Sequence, residues 1–323
     1  VIENTIIMNN GLSSDKYCAK SIIKTSESIK NDINNTNFSH FVPSDHGKVK
    51  NRYKNISSEM NVSEKIVDDN AIINVKNLKD NNLHFIIYIE EKSFILIQNT
   101  NFTYNAGIAV NIERSCSADI KCCIFLKSWK AVNIKEHSNL KLSNCTFRSQ
   151  TYQAISQIDG TLVIKNCVFV NNTGPDSGSA LNIDTKGTVY IYDSIFQENK
   201  CTEHQCSGAA IYFYGSSDNS GGLYIYNTTF FNNSAQAEGG AIAAYEIKDL
   251  ALDQVTFINN SATQLGNIML LNSIMTRFSK CYLISEISSK KCDIYLNGYA
   301  AHLHQYNIKT YQTQFKKGNY SLN

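Results

Sequence analysis

The chain has 323 residues, 42% of them hydrophobic, and a formal charge of +2. It can bury a sizeable core, and without a basic stripe it is not expected to take nucleic acid as a partner. No apolar run approaches the roughly 20 residues needed to cross a bilayer as a helix, so no membrane span is expected here.

Residues 1–80 do not scan as repeats. "ENTIIMNN" and "AIINVKNL" read as strands. Between them residues 28–65, "SIKNDINNTNFSHFVPSDHGKVKNRYKNISSEMNVSEK", are polar, charged and rich in N-x-S/T sequons. They read as a solvated loop or glycosylated insertion over an N-terminal cap, with a binding arm that orders on contact as the alternative. The sequence shows no signal peptide and no starting Met, and reads as a mature chain or a fragment.

Residues 81–283 repeat. Aligned on one aromatic, Phe102, Phe125, Phe147, Phe169, Phe196, Phe230, Phe257, Tyr282 and Phe315 recur roughly every 22 to 34 residues, a period of stacked repeats. Seven and five residues before each aromatic stand aliphatic pairs such as Leu162 and Ile164, Val189 and Ile191, Leu223 and Ile225. Period-two spacing puts each pair on one face of a short strand. A polar corner residue follows (Asn99, Asn144, Asn166, Asp193, Asn227), of a kind that tolerates left-handed backbone. Next come a small residue (Cys123, Cys145, Cys167, Ser194, Thr228), the aromatic, and three residues later an Asn (Asn105, Asn172, Asn199, Asn233, Asn260). A third strand, "GSALNI", "GAAIYF" or "GGAIAA", completes the unit. Three short strands per repeat, without a helical segment, give an all-β, right-handed parallel β-helix of about nine coils. Stacking at about 4.8 Å would line up aliphatic, Phe, Cys and Asn ladders. Residues 284–323 form an irregular last coil and a cap or docking segment, with Arg277 falling where an inward aliphatic is expected.

The signatures F-x-x-N ("FTYN", "FVNN", "FQEN", "FFNN", "FINN") and G-G-A-I (with "GSAL" and "GAAI") resemble the repeats of chlamydial polymorphic membrane proteins. Similar surface proteins occur in protists, and all belong to the pectin-lyase-like β-helix class. The resemblance covers about residues 95–283 and implies a surface adhesin. Family members usually carry an outer-membrane barrel, which this sequence lacks.

Eleven sequons open at Asn34, Asn37, Asn55, Asn61, Asn101, Asn144, Asn171, Asn227, Asn232, Asn259 and Asn319. Together with ten Cys they point to a secreted or cell-surface glycoprotein carrying N-linked glycans. "CTEHQC" closes a local disulfide, Cys201 to Cys206, or with His204 offers a metal site of atypical spacing and no evident fourth ligand. Cys281 and Cys292 are a second disulfide pair. Cys123, Cys145 and Cys167 share one lumenal position and pack as free thiols.

β-Helix enzymes that cleave polysaccharides need clustered outward Asp. Asp193 and Asp253 occupy different repeat positions, Asp68 and Asp69 lie outside the clear repeat, and "SDHG" at 44–47 has no Asp-Asp companion. No catalytic residue, metal or cofactor is assigned. Tyr190 and Tyr192 in one coil and Tyr224 and Tyr226 in the next form an outward aromatic patch, able to stack on sugar rings or pack on another chain. The sequence therefore reads as an adhesive or structural protein acting by surface contact. Its partners would be surface carbohydrate or further copies of itself, head to tail in a fibril or coat. A polysaccharide-cleaving enzyme or a carbohydrate-binding module is the alternative.

Overall fold

The computed structural model describes residues 94–284, apart from 186, 216–220, 265 and 267–268, together with strand segments on either side. The chain is an all-β, right-handed parallel solenoid of about seven turns, with no helix among the described residues. It divides into two compact units, Val1–Thr146 and Phe147–Asn323.

In the first unit the strands Phe94–Gln98, Ser117–Lys121 and Asn139–Ser143 stack parallel and in register. Ile95, Ala118 and Leu140 form one inward column, and Ile97, Ile120 and Leu142 the next. The Phe strands Asn101–Asn105 and Ile124–Leu126 stack likewise, with the Phe102 and Phe125 rings stacked 4.6 Å apart and nearly parallel. Ile6–Asn10 pairs with the same ladder. Within the stretch expected to be a loop, Lys30–Ile33 joins the parallel stack, and Val62–Lys65 pairs antiparallel with Asn70–Val75.

The second unit repeats the scheme. Leu162–Lys165, Thr188–Tyr192 and Gly222–Tyr226 are the first strands, and Val168–Val170, Ile195–Gln197, Thr229–Phe231 and Thr256–Ile258 the Phe strands. Gln153–Ile158, Leu181–Thr185 and Ile211–Gly215 are the third strands. Ile242–Asp253 and Met269–Ser279 run unbroken from third strand into first, which merges those two sheets into one. A further sheet of two-residue strands, from Thr173–Gly174 to Ser261–Ala262, follows the Asn.

The coil closes because each corner is satisfied internally. On both sides of the Phe strand one residue takes left-handed backbone: Asn166, Asp193 and Asn227 before it, and Asn171, Glu198 and Asn232 after it, all with φ between 44° and 54°. The buried Asn ladder then supplies what the strands cannot. Asn172 Nδ2 donates to Asn199 Oδ1 at 2.8 Å, Asn199 Nδ2 to Asn233 Oδ1 at 2.9 Å, and Asn233 Nδ2 to Asn260 Oδ1 at 2.9 Å. Each amide also donates to a Phe carbonyl in the coil before, and each Oδ1 accepts a backbone N–H. The small residue two before the aromatic is a second internal cap. Cys167 Sγ, Ser194 Oγ and Thr228 Oγ1 all donate to the carbonyl two residues back, at 3.3, 2.7 and 2.9 Å. One bond that thiol and hydroxyl can both make explains why Cys, Ser and Thr interchange there.

Three expectations are corrected. The aromatic column contains neither Tyr282 nor Phe315: Leu283 stands opposite Phe257, Tyr282 is 41% exposed, and Phe315 pairs with Ile294 in the other sheet. The regular Phe coils thus end with Phe257, which is why the turns are fewer than nine. Sliding the last coil by one residue exchanges its faces, so Thr276 and Phe278 are buried inward and Arg277 points out. Finally, Cys281 is a free, buried thiol rather than half of a disulfide. It sits two residues before Leu283 and donates to the carbonyls of Ser279 and Leu252 at 3.4 and 3.6 Å. Cys292 lies outside the described residues.

Candidate interaction face

Side chains of the first strands in the second unit alternate between lumen and solvent. Val189, Ile191, Leu223 and Ile225 are buried. The residues between them, Tyr190, Tyr192, Tyr224 and Tyr226, point out in register. The Tyr190 and Tyr224 rings stack at 5.2 Å, and Tyr190 and Tyr192 lie parallel at 6.4 Å. The four tyrosines are thus brought together as a single patch.

Above this patch the face becomes polar. In the next coil Asp249 stands opposite Gly222, Ala251 opposite Tyr224, and Asp253 opposite Tyr226; one coil further, Arg277 stands opposite Ala251. Ala251 has no side chain beyond Cβ, so a notch about two strand spacings, ~9.6 Å, separates the Tyr224 and Arg277 positions. Asp249 Oδ2 ties the notch together, accepting from the Tyr224 hydroxyl at 3.0 Å and from Arg277 Nη2 at 2.7 Å. Burial and the Asp249 carboxylate push the Tyr224 pKa up, so it stays a neutral donor. Gln254 Nε2 donates to the Tyr226 hydroxyl at 2.6 Å. The other oxygens, Asp249 Oδ1 and Asp253 Oδ1, are buried acceptors without a hydrogen-bond partner.

The remaining predicted residues are spread over the coils. Asn144, Asn171, Asn227 and Asn232 are exposed, while Asn101 and Asn259 are half-buried. All of these except Asn101 have positive φ, so they mark corners. Asn34, Asn37, Asn55, Asn61 and Asn319 lie outside the described residues. Cys201 and Cys206 are disulfide-bonded, with Cα atoms 5.9 Å apart, and pack against Ala209, Ala235 and Ala262. Asp193 accepts from Asn227 Nδ2 at a corner, whereas Asp253 lies on the strand opposite Tyr226. Among the described residues no three His, Cys, Asp or Glu side chains converge as metal ligands, and no helix is long and apolar enough to cross a membrane.

The family described as right handed beta helix region matches residues 66–230, just over half of the chain. The chain belongs to the right-handed β-helix family. A second match, to the Chlamydia polymorphic membrane protein repeat, covers residues 227–245, the stretch that holds Phe230, Asn233 and Gly239. This pairing points to a surface, adhesin-like β-helix. No curated protein and no solved structure gives a significant match.

Sequence reasoning missed Asp249, Arg277 and Gln254 as part of the face. Asp249 and Arg277 are 28 residues apart in sequence and meet only once the last coil is in its true register.

Proposed function

We propose that this β-helix is an extracellular surface protein that works by contact, and that the Tyr190–Tyr224 face with its notch engages carbohydrate. The observation that carries this is the stack of the outward Tyr190 and Tyr224 rings beside the Asp249–Arg277 pair, with only Ala251 standing between them. Sugars present an apolar ring face with hydroxyls around it, and the stacked rings with the charged pair at the notch offer a partner to both. The sequons at exposed corners fit a secreted glycoprotein.

Cleavage is disfavoured by spacing. Asp249 and Asp253 are four residues apart on one strand, about 13 Å of backbone, beyond the roughly 5 to 9.5 Å that separates the carboxyl pair of most glycosidases. Incubating the protein with a panel of polysaccharides tests both points together. Retention on at least one polymer without shortening it is the expected result. Turnover abolished by Asp249→Asn would replace this reading with an enzymatic one.

A further inference from the structure

The third strands of the second unit carry another outward face, with a different chemistry. Asp184, Tyr214 and Tyr245 form one column across three coils, and Tyr212 stands in the adjacent column. The Tyr212 and Tyr245 rings are 5.6 Å apart, and Tyr214 is 38% exposed. Two more carboxylates border the rings. Glu238 accepts from the Tyr245 hydroxyl at 2.9 Å, and Glu246 from the Tyr214 hydroxyl, which holds the Tyr214 pKa up. Among the described residues no Lys or Arg forms an ion pair with Asp184, Glu238 or Glu246. Carboxylates set among tyrosine rings favour a cationic partner through both salt bridges and cation–π contact.

The same chain carries such a partner. Residues 47–55, "GKVKNRYKN", hold Lys48, Lys50, Arg52 and Lys54 at every second position and no acid. Laid out as a strand, all four cations fall on one face about 6.8 Å apart, a spacing that an array of carboxylates and rings on stacked coils can meet. We propose that the basic run 48–54 of a second copy docks on the acidic tyrosine face formed by Asp184, Tyr212, Tyr214, Tyr245, Glu238 and Glu246, so that the chain associates with itself. This does not rest on the carbohydrate reading, which concerns the other face.

Sedimentation velocity on the full chain tests it with two near-isosteric variants. One carries Lys48→Gln, Lys50→Gln, Arg52→Gln and Lys54→Gln; the other carries Asp184→Asn, Glu238→Gln and Glu246→Gln. The wild type is expected to associate at about 100 μM in low salt, with affinity falling about tenfold or more at high salt. Each variant alone should be monomeric, and mixing the two should restore a complex, because one keeps the face and the other the basic run. A monomeric wild type, association that survives in either variant, or a mixture that stays monomeric would each overturn the proposal. Polysaccharide retention by the same variants reads the carbohydrate face separately, so one proposal can fail without the other.

Discussion

Asn199→Ala is the sharpest perturbation of the coil. The amide gives Nδ2 to Asn233 Oδ1 and to the Phe169 carbonyl, at 2.9 and 3.0 Å. It receives Asn172 Nδ2 and the Asn172 backbone N–H on Oδ1, at 2.8 and 3.2 Å. Asn233 Oδ1 keeps the Asn199 backbone N–H at 3.0 Å, so it is not fully orphaned. The Asn172 N–H and one amide proton lose their acceptor, and the Phe169 carbonyl loses a donor, all in a site closed to water. At roughly 1 to 3 kcal/mol per buried group left unmade, with partial relaxation, the loss should be about 3 to 5 kcal/mol. Glu198→Gln, one residue earlier on the exposed corner, should change stability by less than about 0.5 kcal/mol. Urea unfolding followed by far-ultraviolet circular dichroism measures both. A loss below about 1 kcal/mol for Asn199→Ala, or equal losses for the two variants, would refute the ladder as a structural necessity.

Three further outcomes follow from the same geometry. Gly239 has φ +60°, and a Cβ there would lie 2.3 Å from the Ile242 carbonyl oxygen. Gly239→Ala should therefore destabilise by about 2 to 4 kcal/mol in the same titration, whereas Asn232→Gly at its open corner should be near neutral. Burial pushes the Cys281 thiol up from its ordinary value of 9.0 to about 11. Because the unfolded thiol ionises first, stability is complete below pH 9 and declines as pH rises from 9 to 11, by about 2 kcal/mol. Melting temperatures across that range should fall less steeply for Cys281→Ser. Finally, Arg277→Ala breaks its bond to Asp249 while leaving the coil intact, so polysaccharide retention should weaken several-fold with a change of less than about 1 kcal/mol in unfolding.

Much of the coil was legible because inward residues are constrained twice, by period-two alternation and by the copy above and below. Phe102 through Phe257, the aliphatic pairs and the Asn ladder were all readable on that basis. The last coil was misread because Tyr282 resembles the aromatic its neighbours carry. Leu283 takes the lumenal place, and the one-residue slip that follows put Arg277 on the wrong side. The Cys123, Cys145 and Cys167 column was legible as buried but not as a corner cap, since the thiol's bond to a backbone carbonyl leaves no trace in hydrophobic pattern. The outward Tyr214 could have been found by alternation from Ile211 and Phe213, and Tyr245 by alternation from Ile242 and Ala244. What alternation does not reveal is that Glu238, which precedes the third strand, meets the Tyr245 hydroxyl.

The central claim, that a row of outward tyrosines and acceptors binds carbohydrate without cutting it, is tested most directly by one titration. An immobilised polysaccharide that retains the wild type is titrated with wild type and with Tyr190→Ala/Tyr224→Ala, and the polymer's chain length is measured before and after. The account predicts that affinity falls at least about tenfold in the double variant, with chain length unchanged for both proteins. Equal affinity for the two proteins, or polymer shortened by the wild type, would contradict it.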